Sequence, residues 1–164
     1  MTAAAFAAVF VTLWVAHQVA DHWVQTGHQA ATKGLPGWPG RAACAAHVVT
    51  YVVTALVLLA VVAPLLDLPV SLAGVAVGQV VSGATHYWAD HRTTLRWLAK
   101  LAGKADFYWL GMPRPDLPEV SDPGGTIGAT VPHDNPSLGT GAYALDQSFH
   151  VSWLFVAALC TALI

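Results

Sequence analysis

Charge is scarce in this chain. Asp, Glu, Lys and Arg make up 10% of its 164 residues, where a soluble domain carries about 25%. Seven Lys and Arg against nine Asp and Glu give a formal net charge of −2. That balance excludes the basic surface that nucleic-acid binding requires, so no nucleic-acid partner is expected. Cysteine is nearly absent too. Cys44 and Cys160 are the only two, and they fall at opposite depths of the helices expected below, too far apart for a disulfide. The alternating ten-residue segments of a membrane β-barrel are missing. What fills the chain is apolar, at 55%. A water-soluble globule of that composition would expose large apolar patches, so the expected surroundings are a bilayer.

Apolar runs predict helices over about 2–28, 42–66, 68–101 and 141–164. Each is long enough to cross a hydrocarbon core of about 30 Å at about 1.5 Å per residue. The first run has no Lys or Arg before it and no clear cleavage site, so a retained span is expected and not a secretory signal. The predicted fold is all-α: one membrane domain over 1–164, a four-helix transmembrane bundle. Residues 103–140, dense in Pro and Gly without an apolar period, are expected as a flexible cytoplasmic loop, disordered or draped as a lid.

The cations fall on one side. Lys33 and Arg41 lie between the first two helices, and Arg92, Arg96, Lys100, Lys104 and Arg114 lie between the last two. The positive-inside rule then places both connections in the cytoplasm and both termini outside, in a multi-pass membrane protein. Trp23, Trp38, Trp88, Trp97 and Trp109 stand at the same level, as an interfacial aromatic belt does. Lys33, Arg92, Arg96 and Lys100 are expected to face anionic headgroups, the last three along one face of a continued third helix. Membrane lipids are the expected partners.

The uncommon abundance is histidine: eight, against seven Lys and Arg. The first helix ends His17-Gln-Val-Ala-Asp21-His22 and the third ends His86-Tyr-Trp-Ala-Asp90-His91, both H-x-x-A-D-H. The helix after each opens on His47-Val or His150-Val. This pattern predicts two helical hairpins in a parallel internal repeat about an axis along the membrane normal. His17 and Asp21, His86 and Asp90, and Asp146 and His150 are each four residues apart, so each pair shares a helix face. All lie at the cytoplasmic end, where His17, Asp21, His47, His86, Asp90, Asp146 and His150 are expected to form one shell.

Imidazole and carboxylate are the ligand set of a divalent metal, zinc first with manganese or iron as alternatives, and facing helices of a bundle hold such ions. Four His and three Asp suffice for one or two ions, or for one ion with an acid/base pair. Asp21, Asp90 and Asp146 are the catalytic candidates. His22, His91, Gln25 and Gln147 are expected to orient the ligands from outside the shell. A structural polar core is the competing reading, since polar side chains glue membrane helices at about 0.6 kcal/mol each without any further role. Three buried Asp near four His are costly without a shared cation, which favours the metal. Tyr51, Ser82 and Thr93 on the same faces are expected to pack and hydrogen-bond.

At these residues the chain resembles a family of small bacterial and phage integral membrane proteins known only as a domain of unknown function. The resemblance runs from His17-Gln-Val-Ala-Asp21…Gln25-Thr26 through Lys33 and His47…Tyr51 to His86…Asp90 and Asp146-Gln147-x-x-His150. It covers nearly the whole chain, with D-Q-x-x-H its most specific element. The chain departs from the family at His22, where an aromatic residue is usual, and in its longer Pro/Gly loop. The resemblance implies an integral membrane fold and supports these residues, but it carries no reaction.

Three functions are open on these residues. One is a metal-dependent hydrolase of a lipid-like or phosphorylated substrate, in which the ion activates water and an Asp acts as base. Another is a metal-ion or proton transporter, which would need an oligomeric pore because the outer halves of all four helices lack ionisable groups. The third is a non-enzymatic membrane protein with a structural polar core and a partner-binding loop. A homo-oligomer fits any of them.

Overall fold

The computed structural model describes residues 3–111 and 141–164. Among its described residues every regular element is a helix, without a strand. They divide into two compact units, Met1–Leu95 with Ser148–Ile164, and Arg96–Gln147.

In the first unit, α1 (Ala3–Val19) passes directly into a π-helical turn, Ala20–Val24. Gln25 N–H closes that turn on the Ala20 carbonyl at 2.8 Å. The expected continuous helix over 2–28 therefore ends early. The reason lies in Thr26 and Gln29, which form a reciprocal capping box and start a separate short helix, α2 (Gly27–Thr32). Next comes α3 (Gly37–Leu65), which begins five residues before the expected 42. Gly37, at φ 83, makes the entry turn, and Pro39 is tolerated in the first turn, where its missing N–H has no helical partner to lose. The expected helix over 68–101 also divides. It starts as α4 (Leu72–Asp90), capped by the Ser71 hydroxyl accepting from Gly74 N–H at 2.8 Å. It stops at Asp90 because Arg92 adopts φ 52 and the Thr94 hydroxyl bonds the Trp88 carbonyl, competing with the helical ladder. A new helix, α5 (Thr93–Leu101), follows.

Among the described residues, two helices are long and apolar enough to cross a membrane, Ala3–Val24 and Gly37–Leu65. The core of the first unit is built from α1, α3 and α7 (Gly141–Leu163), with Val9, Leu13, Ala16, Tyr51, Ala55, Leu154, Ala157 and Ala158 buried together. α4 joins α7 through glycine. A Cβ at Gly74 would lie 2.6 Å from the Thr161 carbonyl oxygen, and one at Gly78 would overlap the Thr161 hydroxyl and stand 2.8 Å from the Ala157 carbonyl. The glycines at these two positions allow the backbones to meet, as small residues do between membrane helices.

In the second unit, a four-residue helix, α6 (Ala105–Tyr108), lies in the stretch expected to be flexible from residue 103, and Tyr108 is buried. The rest of that loop, 112–140, with its expected disorder or lid role, falls outside the described residues. Arg96 stacks over Trp109, 4.9 Å from the ring centroid.

Candidate metal centre

Five segments of the first unit bring their polar side chains together. His17 comes from the last turn of α1, Asp21 from the π-turn, His47 from α3, His86 and Asp90 from the end of α4, and His150 from α7. The four histidines are 0–3% exposed and Asp90 is 3% exposed. In a chain with so few charged groups, this much buried polarity in one place is the exception. The π-turn matters to it, because one extra residue per turn re-aims Asp21, and such turns concentrate at functional sites.

The distances have a pattern. His47 Nε2 and His86 Nε2 are 3.0 Å apart. Asp90 Oδ2 is 3.3 Å from the first and 3.2 Å from the second. Asp21 Oδ1 is 3.4 Å from His47 Nε2 and 3.6 Å from His86 Nε2. A charge-assisted N–H···O bond runs about 2.7–2.9 Å, so all four His–Asp separations are longer than such a bond. A tetrahedral ion with ligand bonds of about 2.0–2.1 Å has ligand-to-ligand edges of about 3.3–3.4 Å. The five separations, 3.0–3.6 Å, lie near the length of such an edge.

Two groups support this set from behind. The Tyr51 ring lies nearly parallel to His86, 4.3 Å between centroids and 18° between planes. Its hydroxyl hydrogen-bonds Ser82, and both residues were expected to pack and hydrogen-bond on these faces. Thr93, expected on the same face, is exposed instead and bonds the His91 carbonyl. Beyond His86 lies a further group: His17, His86 and His150 each offer a ring nitrogen within 4.8 Å of the others.

Lys33 is the main correction. Counted by loop, it belonged with the headgroup-facing cations. In the structure it is buried, and its Nζ donates to Asp90 Oδ2 at 2.9 Å. The capping box explains this, since it turns the chain into α2 and so brings Lys33 back over the end of α4. The pattern Thr26-x-x-Gln29 was readable in the sequence and marks that turn. Arg92 is corrected as well, since it lies outside α5 and does not continue a face with Arg96 and Lys100. It is exposed, and its guanidinium reaches the Ala30 carbonyl at 3.4 Å. Arg96 and Lys100 are exposed on α5.

His22 is exposed, with Nδ1 3.0 Å from the Gln18 carbonyl oxygen. His91 Nε2 is 3.2 Å from the Tyr87 hydroxyl. Gln25 has a buried amide nitrogen with no hydrogen-bond partner among the described residues. Asp146 and Gln147 stand in the second unit, where Gln147 Nε2 donates to Asp146 Oδ2 at 3.4 Å. Asp146 is one turn before His150 on α7, as the spacing predicted.

The cluster could hold a metal ion through imidazole nitrogen and carboxylate oxygen, the donors that suit zinc, manganese or iron. No protein-family model, curated protein or solved structure matches the chain.

Proposed function

We propose that the chain is a four-span integral membrane protein that holds a divalent metal ion, zinc first, between His47, His86, Asp21 and Asp90. The observation that carries this reading is the set of five separations, His47 to His86 and each of these to Asp21 and Asp90, at 3.0–3.6 Å. Charge supports it as well. Two carboxylates face a single ammonium there, so a cation or a proton must compensate them, as buried charges require.

Exposure supports the four spans. Beyond the two long apolar helices, α4 presents Leu72, Val77 and Val80, and α7 presents Phe155, Val156 and Leu163. Lipid would cover these side chains. Exposed Arg41, Arg92, Arg96, Lys100 and Lys104 favour the connections on the cytoplasmic side, with exposed Trp23, Trp38 and Trp97 at the headgroups.

In this reading the ion acts as a Lewis acid in hydrolysis of a lipid-like, phosphorylated substrate that reaches the centre from the headgroup layer. Hydrolysis is favoured over transport because the ionisable groups sit at one end. Residues 3–16, 52–65, 72–85 and 151–163 contain no Asp, Glu, Lys, Arg or His, whereas transport sites lie near the midplane. The competing reading is a structural polar core with Lys33 as the resident cation, and the 2.9 Å Lys33–Asp90 pair favours it. Purification in detergent followed by metal analysis separates the two. Stoichiometric zinc, lost in Asp90→Asn, and phosphate release from lipid phosphates by the zinc-loaded protein are the expected results. A folded, metal-free wild type that takes up no zinc would overturn the metal reading. Zinc binding without release from any lipid phosphate would overturn the hydrolase reading alone.

A further inference from the structure

The two oxygens of Asp21 face different partners. Oδ1 is the one directed at His47 Nε2 and His86 Nε2, at 3.4 and 3.6 Å. Oδ2 is 3.4 Å from His17 Nε2, on the other side of the carboxylate. Behind His17 stands His150, with ring centroids 4.8 Å apart, and His86 closes the triangle at 5.3 Å from His17 and 4.4 Å from His150. The three rings are 0–3% exposed and place one ligand atom each within 4.8 Å of the others. Three buried imidazoles in one triangle bring together nitrogen donors that suit a shared divalent cation.

We infer that the centre is dinuclear, with the Asp21 carboxylate bridging a first ion on His47, His86 and Asp90 to a second ion on His17 and His150. This rests on the metal reading above and extends it by one site. Each oxygen of Asp21 serves one ion, which is what its two-sided geometry provides. His86 forms the wall between them. Its Nε2 belongs to the first set, and its Nδ1 is buried with no hydrogen-bond partner among the described residues, so the ring has a second donor atom available on the side away from His47. Two charges of +2 so close together require shared anionic ligands. Asp21 reaches both sets, through one oxygen each.

The test uses the full chain in detergent, stripped with a chelator and titrated with cobalt(II) as the probe. The expected result is two cobalt ions per chain, with magnetic coupling between them in electron paramagnetic resonance. In His150→Ala the expected content falls to one cobalt per chain and the coupling disappears. One uncoupled cobalt per chain in the wild type would overturn the second site while leaving the single-ion reading intact. No cobalt in a folded wild type would overturn both. Two coupled ions persisting in His150→Ala would remove His150 from the site and overturn the assignment. Should His150→Ala fail to fold, the wild-type content and coupling still decide.

Discussion

At one end of the first unit α4 and α7 meet through Gly74, Gly78, Ala157 and Thr161, with almost no side chain between them. At the other end, His17, Asp21, Lys33, His47, His86, Asp90 and His150 fill the space with ionisable groups. The first end depends on shape, since dispersion and close approach are what hold apolar helices together in lipid. The second depends on charge compensation, because each of its groups is stable in the interior only while its partners are present. A substitution should therefore act through volume at one end and through unpaired charge at the other.

The largest effect is expected at the charged end. Asp90→Ala removes the partner of Lys33 and one donor from the His2Asp2 set, and leaving a buried ammonium unpaired costs about 3–5 kcal/mol. Denaturation of the metal-free protein in mixed micelles should read that loss, and metal uptake should be lost with it. If Asp90→Ala unfolds like the wild type, the pair is not buried and the contrast between the ends collapses.

Gly78→Leu should come next, at the other end. Its side chain has no space beside Thr161, and overpacking costs about 1–3 kcal/mol. Its metal affinity, measured on the folded fraction, should stay within a few-fold of wild type. A large loss of affinity would mean that the two ends are not separable.

Lys33→Met sharpens the contrast in the opposite direction. Removing a competing cation from Asp90 should raise zinc affinity about tenfold, equivalent to about 1.4 kcal/mol. Competition with a chromophoric chelator would measure it, and weaker binding would make Lys33 a support of the site, not a rival of the ion.

Gln79 is the one buried amide in the apolar half, 6% exposed, and neither its nitrogen nor its oxygen has a hydrogen-bond partner among the described residues. Gln79→Leu should stabilise the protein by about 1–2 kcal/mol, within the cost of an unsatisfied buried polar group. Destabilisation would show that the amide is satisfied in the membrane. The smallest effect is Tyr51→Phe, which keeps the stacking on His86 and loses only the hydroxyl bond to Ser82, worth about 0.6 kcal/mol between membrane helices.

Much of this contrast was legible in the sequence. Apolar runs located the long helices, because a continuous run needs no tertiary information. The i, i+4 pairs put His17 with Asp21 and His86 with Asp90, and both pairs lie within ion-pair distance. The four-residue spacing of Gly74 and Gly78 is itself a sequence signal for close helix packing, and these glycines are where α4 approaches α7. The helix breaks were harder. The one at Thr26 had a capping-box signal, whereas Arg92 at φ 52 had none beyond the adjacent Thr93-Thr94, since no glycine or proline marks it. Lys33 could not be read from a charge count, which assigns a loop to a side of the membrane but says nothing of depth. The π-turn and the division of labour between the two Asp21 oxygens depend on three-dimensional packing and leave no mark on residue order.

The central claim is a His/Asp metal centre, and X-ray absorption at the zinc edge of the loaded wild-type protein tests it most directly. The account predicts a shell of nitrogen and oxygen only, at about 2.0–2.1 Å, with the outer-shell scattering of imidazole. A shell containing sulfur, or a spectrum matching zinc in buffer alone, would contradict it.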